Sequence, residues 1–221
     1  MASGFIQQLP PKAREALLSE GVRRRFAPGA TLCVQGEAGT RVMVIHSGTV
    51  KITRTLPDGS AIVLGLCGAG DIVGEASAVA GEGAARLATV TAVDTVTCQV
   101  LAAGAFRQVL HRNPGIYRAL VSLAHDRMRA SADNGVRQAA HPVARRTARI
   151  LSELAHRYGR PTARGLLIGL ALSQHDLALL VGASRESVVR ALTRLRSGGV
   201  IATGRQKIFV LDAVRLEQLG R

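Results

Sequence analysis

Two stretches of this 221-residue chain carry side chains at spacings that do chemistry. The first is Ser184-Arg185-Glu186-Ser187-Val188-Val189-Arg190. An Arg donates paired hydrogen bonds to guanine O6 and N7, and a Glu accepts from cytosine N4. On a helix, Arg185, Glu186, Arg190 and Arg194 share the side opposite Val188, Ala191, Leu192 and Leu195. The second stretch is Gly70-Asp71-Ile72-Val73-Gly74-Glu75, followed by a Gly-rich run over residues 80–85 and then Arg86-Leu87-Ala88. A Gly before a short helical start presents backbone N–H groups to an anion. An acid on that element and an Arg closing the loop would hold a sugar hydroxyl and a phosphate respectively. On the residues alone, a tight turn with a surface ion pair is the simpler account of this second stretch.

The elements around the first stretch read clearly. Ser173-Gln174-His175-Asp176 is a capping box that starts a helix over residues 174–181. Gly182-Ala183 is a tight turn, and Ser184 caps a second helix over residues 185–196, ended by Gly198-Gly199. Residues 200–203, a Gly204-Arg205 turn and residues 207–211 make a hairpin. Helix, Gly-containing turn, helix and hairpin is the pattern of a winged helix-turn-helix, whose second helix meets base edges with its N-terminal residues. Upstream, residues 142–158 form an amphipathic helix with Val143, Thr147, Ile150, Leu151 and Leu154 on one face. A polar loop over 159–165 and a short apolar strand over 166–170 follow.

The second stretch sits among short β runs. Residues 41–46, 49–56, 61–67, 88–93 and 95–101 are β-rich and separated by Gly- and Pro-containing turns such as Pro57-Asp58-Gly59. Such strand spacing implies a small sandwich or barrel beginning near Phe26. Asn113-Pro114 is a helix start, with Asn as N-cap and Pro at the first helical position. Tyr117, Val121, Ala124, Met128, Ser131 and Gly135 then recur at alternating spacings of four and three, a coiled-coil seam. A helix of about 25 residues is roughly 37 Å long. A two-fold dimer along the seam is the reading preferred to packing of the seam on the chain's own barrel.

Composition narrows the function. The chain carries 29 Lys+Arg and 15 Asp+Glu, a formal net charge of +14. Residues 1–112 hold 11 basic and 8 acidic residues, a net of +3, whereas residues 113–221 hold 18 and 7, a net of +11. The excess is interleaved with apolar residues at helical spacing, so a folded basic domain with a polyanionic partner is expected. No apolar run is long enough for a membrane span, and the N-terminus lacks the pattern of a signal peptide. Cys33, Cys67 and Cys98 are too widely spaced for a disulfide framework or a metal site and are expected as small buried hydrophobes in a cytoplasmic protein. No nucleophile–base pair or metal set accompanies Glu75 and Arg86, so no enzyme is expected.

Residues 177–190 closely resemble the recognition motif of the CRP/FNR transcription-regulator family. Gly70 to Glu75 and Arg86-Leu87-Ala88 are similar to that family's cyclic-nucleotide phosphate cassette, and Asn113-Pro114 starts a segment similar to its dimerisation helix. The resemblance implies an α+β chain: an N-terminal β jelly-roll effector domain over residues 1–112, a long dimerisation helix over 113–139 and a C-terminal winged helix-turn-helix over 140–221. It implies a homodimer that binds palindromic double-stranded DNA with a half-site similar to TGTGA and works with RNA polymerase. Ser184, Arg185, Glu186, Ser187, Arg190 and Arg205 would contact DNA. Gly74, Glu75, Ala76, Arg86, Leu87 and Ser131 would bind an effector such as cAMP, Glu75 at the ribose 2′-hydroxyl, Arg86 at the cyclic phosphate and Ser131 at the purine. No metal or haem is implied. Three positions depart from the family's best cyclic-AMP binders: Leu87 stands where Ser or Thr follows the cassette Arg, Ala132 where a second hydroxyl follows Ser131, and the loop from Glu75 to Arg86 is about one residue longer. A cyclic-nucleotide-independent DNA-binding regulator is the alternative.

Overall fold

The computed structural model describes residues 4–204 and 206–221, and the side chains of residues 137–139 lie outside that description. In chain order the elements are α1 (Pro11–Ser19), β1 (Val22–Phe26), β2 (Thr31–Cys33), β3 (Arg41–Ser47), β4 (Val50–Thr55), β5 (Ala61–Cys67), β6 (Ile72–Val73), α2 (Glu75–Ala80), β7 (Thr89–Ala92), β8 (Val96–Ala102), α3 (Ala103–Arg112) and α4 (Gly115–Ala140). Then follow α5 (Val143–Tyr158), β9 (Gly159–Thr162), β10 (Gly165–Ile168), α6 (Gln174–Val181), α7 (Arg185–Ser197), β11 (Ile201–Gly204), β12 (Lys207–Val210) and α8 (Ala213–Gly220). The chain divides into two compact units, one ending at Ala130 and the other running Ser131–Arg221, so the boundary falls inside α4.

The first unit is a β sandwich. Its sheets run β1-β8-β3-β6 and β2-β7-β4-β5, with antiparallel neighbours throughout. Met43 and Ile45 of β3 join Cys33, Val50, Cys67, Val90 and Cys98 in the core between the sheets. Val42 and Val44, pointing to the opposite face, pack with Leu17, Phe106, Leu110 and Ile116 from α1, α3 and α4. Both faces of β3 are therefore covered, which is why its sequence is a continuous apolar run rather than an alternation. All three cysteines are buried and outside any disulfide, and burial raises the Cys33 thiol and pushes that of Cys98 up to about 11, which keeps those two thiols protonated and unreactive.

The strand pattern starts earlier than expected. Val22–Phe26 pairs along β8 at the sheet edge, although its three arginines hide the strand in the sequence. Charged edge strands suffer little, because one side of the ladder faces water. Asn113 also differs from its expected role. Its Nδ2 donates to Val109 O at 3.0 Å and so closes α3, and α4 begins at Gly115. The Asn113 carbonyl nevertheless accepts from Ile116 N at 3.0 Å, so the residue closes α3 with its side chain and meets α4 with its main chain.

On α4, Ile116 and Ala119 are buried against the barrel, with Leu120 and Leu123 packed beside them. The seam residues Tyr117, Val121, Ala124 and Met128 are exposed. The barrel takes a neighbouring stripe of the helix, so the seam does not pack on the chain's own barrel.

In the second unit, α5 buries Thr147, Ala148, Leu151 and Leu154. The sheet runs β11-β12-β10-β9. Residues 159–165, expected as a loop, contain β9, which pairs with β10 from Gly159↔Ile168 to Thr162↔Gly165. Its residues are mostly exposed and include Pro161, which an edge strand tolerates, so no apolar alternation marks it. Helices α1, α3 and α8 also go beyond the elements expected from the sequence.

Candidate functional site

The helix-turn-helix is built by local capping. Ser173 Oγ accepts from Asp176 N at 3.0 Å, and Ser173 N donates to Asp176 Oδ2 at 2.9 Å. Helix α6 ends at Gly182, whose φ of +66° returns its N–H to the carbonyls of Ala178 and Leu179. That left-handed turn favours Gly. Arg146 of α5 donates from Nη2 to Gly182 O at 2.9 Å and ties the turn to the rest of the unit. Ser184 caps α7 by accepting from Ser187 N.

Helix α7 buries Val188, Ala191, Leu192 and Leu195, as its periodicity requires. Arg185, Glu186, Arg190 and Arg194 are exposed on its other side. Arg185 donates from both Nε and Nη2 to Gln174 Oε1, at 3.3 and 3.2 Å. Arg190 Nη2 donates to Ser187 Oγ at 2.8 Å, and Ser184 and Ser187 share a hydroxyl–hydroxyl bond at 3.1 Å. Glu186 is held below the usual carboxylate range by its own backbone N–H and the Ser184 hydroxyl, with Arg185 and Arg190 adding to the effect. The structure thus gathers Ser184, Arg185, Glu186, Ser187 and Arg190 at one helix end. Arg205 lies outside the described residues. Gln174, the first residue of α6, joins this group and was missed from sequence; its position at a helix start beside a second helix start was the available signal. Exposed hydrogen bonds of this kind exchange readily with water or with a base edge, because their net worth is small.

The cassette in the first unit is organised differently. Gly74 links β6 to α2 with φ +80°, and a Cβ there would lie 2.4 Å from Arg86 Nη1. Both the backbone angle and the close approach of Arg86 demand Gly. Glu75 and Arg86 are buried, at 8% and 5% exposure, which overturns the surface ion pair as an account of this segment. They are not each other's partners. Glu75 Oε1 accepts from Arg127 Nη1 of α4, and Arg127 Nη2 donates to Ile72 O at 2.8 Å. Burial, the largest single influence, works to lower the Arg127 pKa, but Glu75, Cys67 and Asp71 together raise it further and the net shift is upward, so Arg127 stays a cation. Arg86 donates from Nη1 to Gly74 O at 2.8 Å and Ser77 Oγ at 3.0 Å, and from Nη2 to Arg41 O.

Arg86 Nε is buried and has no acceptor among the described residues. An orphaned donor and a buried carboxylate in one cassette suit a ligand that carries an anion and a hydroxyl. Ala76 and Leu87 are exposed, and Leu87 turns its side chain to solvent. Ser131 is exposed on α4 and belongs to the second unit. The cassette therefore collects Gly74, Glu75 and Arg86, together with Arg127, Ser77 and the Arg41 carbonyl, which the sequence reading missed. Arg127 continues the barrel-facing stripe Ile116, Ala119, Leu120, Leu123 at helical spacing, and a charge ending an apolar stripe was the available signal. Among the described residues no group of three or more His, Cys, Asp or Glu is placed to hold a metal ion. No helix among them is long and apolar enough to cross a membrane.

Comparison with known proteins matches both units of the chain to family models. The family model for the cyclic nucleotide-binding domain matches residues 23–113, and that for the Crp-like helix-turn-helix domain matches residues 145–219. The CRP-like cAMP-activated global transcriptional regulator of Mycobacterium tuberculosis is 31% identical over 219 residues, covering 99% of this chain and 97% of that one. The chain belongs to the CRP family of transcription regulators. The cyclic AMP receptor protein of Thermus thermophilus is 30% identical over 218 residues, covering 99% of this chain and 97% of that one. Among solved structures, the c-di-GMP responsive global regulator CLP of Xanthomonas campestris superposes with a TM-score of 0.78 at 23% identity, over 91% of this chain and 99% of that one. That likeness concerns the fold. Relatives of this CRP-family chain thus carry names that specify different effectors, while the barrel, long helix and helix-turn-helix are common to them.

Proposed function

We propose that the chain is a homodimeric, sequence-specific DNA-binding regulator whose DNA affinity is set by a cyclic nucleotide, cAMP foremost. Residues 1–112 form the effector domain, 113–139 the dimerisation helix and 140–221 the DNA-binding domain. The observation that carries the effector reading is the buried Arg86 guanidinium with an unpartnered Nε, set in the same cassette as buried Glu75. Arg86 binds the cyclic phosphate, Glu75 the ribose 2′-hydroxyl and Ser131 the purine. Gly74, Ala76 and Leu87 contribute main-chain contacts.

The exposed seam Tyr117, Val121, Ala124 and Met128 supports dimerisation through α4. Two recognition helices about 34 Å apart then meet successive major grooves of a palindrome with a half-site similar to TGTGA. Arg185, Glu186 and Arg190 read bases, Ser184 and Ser187 position them, and Arg205 and the remaining cations meet phosphates. Nucleotide shifts a two-state equilibrium of the long helices and so repositions the DNA-binding domains. RNA polymerase is the downstream partner, the cytoplasm is the compartment, and no reaction is catalysed.

A second reading, DNA binding without cyclic nucleotide, is favoured by one observation. Glu75 is already engaged by Arg127, and three Arg86 donors are met inside the protein. Calorimetry with cAMP and cGMP on wild type and Arg86→Ala separates the two. The effector reading expects wild type to bind one nucleotide and Arg86→Ala to lose at least 100-fold. No binding by wild type at millimolar nucleotide selects the second reading.

A further inference from the structure

We infer that Ser77 is a positioning residue of the cassette, its hydroxyl fixing the Arg86 guanidinium so that the Nε edge is kept for the ligand phosphate. The inference rests on the cyclic-nucleotide reading above. A guanidinium has five N–H donors in a rigid plane. Arg86 uses three of them on Gly74 O, Ser77 Oγ and Arg41 O, leaving Nε–H and one Nη2–H. Ser77 Oγ accepts from Arg86 Nη1 at 3.0 Å and donates to Gly74 O at 3.3 Å. Arg86, Ser77 and Gly74 thus close a ring of hydrogen bonds around Nη1.

The Ser77 hydroxyl has little freedom. The residue is 4% exposed, and a Cβ built at Gly39 would lie 2.2 Å from Ser77 Oγ, so the Gly39 backbone confines it from the far side. The residue after Arg86 supplies no hydroxyl, because Leu87 is 65% exposed and apolar. The cassette's hydroxyl therefore comes from α2, the helix that also carries Glu75. Removing it leaves the Arg86 charge intact but frees the plane of the guanidinium. The loss is then directional: the geometry of phosphate recognition changes more than the attraction for an anion.

The test measures binding of cAMP and of its Rp and Sp phosphorothioates, which replace one or the other exocyclic phosphate oxygen by sulfur. Wild type, Ser77→Ala, Ser77→Cys and Arg86→Lys are compared, with Ser77→Ala also placed in the Arg86→Lys background. Ser77→Cys keeps the volume but accepts hydrogen bonds weakly. Both Ser77 variants are expected to bind cAMP about tenfold more weakly and to narrow the Rp/Sp affinity ratio. Ser77→Ala is expected to add nothing once Arg86 is Lys. Unchanged affinity and Rp/Sp ratio in the Ser77 variants, equal loss for both diastereomers, or additive losses with Arg86→Lys overturns the positioning role while leaving the effector reading in place. A wild type that binds no cyclic nucleotide overturns the effector reading, and the role of Ser77 falls with it.

Discussion

The N-terminal end of α7 and the Arg86 cassette are both built around arginines, but they hold them in opposite ways. Arg185 and Arg190 are exposed and rest on neighbours within the same helix-turn-helix. Arg86 is buried and held by carbonyls from β3 and the β6–α2 turn, while Glu75 is held by Arg127 on α4. An exposed charge costs little to keep and little to remove, whereas a buried one without its partners is expensive. The surface proposed to read DNA is thus separable from the fold, and the cassette is not.

The comparison breaks most easily at the cassette. Arg86→Ala removes a donor from Gly74 O, Arg41 O and Ser77 Oγ, and chemical denaturation is expected to show the barrel transition destabilised by about 3 kcal/mol. Arg127→Ala leaves Glu75 buried without its cation. Because the Arg127 side chain is 37% exposed, water softens the loss, to about 2 kcal/mol in the same measurement. Arg185→Ala should leave both transitions within about 0.5 kcal/mol of wild type. It should cost roughly 1–3 kcal/mol in specific DNA binding and relax selectivity at one base position, read by titration against matched and mismatched duplexes. Arg194→Ala is the smallest change. It should weaken all duplexes alike and reduce the slope of log K against log salt by about 1. Equal damage to folding from Arg185→Ala and Arg86→Ala would erase the distinction between the two regions.

The same contrast explains what could be read from sequence. Ser173, Asp176 and Ser184 cap helices through partners three residues away, so the helix-turn-helix was visible from a short window. Val188, Ala191, Leu192 and Leu195 followed helical periodicity and are buried as expected. At the cassette, Gly74, Glu75 and Arg86 were found, but Arg127 lies 52 residues from Glu75, and no local pattern links them. Ser77 was unremarkable until Arg86 and Gly39 were seen around it. The edge strands β1 and β9 were missed because exposed edges carry no apolar alternation: one is an arginine run and the other contains Pro161. Asn113 serves both neighbouring helices, its carbonyl accepting from Ile116 N while its side chain bonds back to Val109 O, a division that the sequence does not reveal.

The central claim is that a cyclic nucleotide in the Arg86 cassette controls base reading by α7. The most direct measurement is fluorescence anisotropy on a palindromic duplex with TGTGA-type half-sites and on a scrambled duplex, each with and without cAMP, using wild type and Arg86→Ala. The account predicts that cAMP tightens wild-type binding to the palindrome at least tenfold, leaves the scrambled duplex nearly unchanged and does nothing for Arg86→Ala. Wild-type affinity for the palindrome that is the same with and without nucleotide, or a cAMP response that survives in Arg86→Ala, would contradict it.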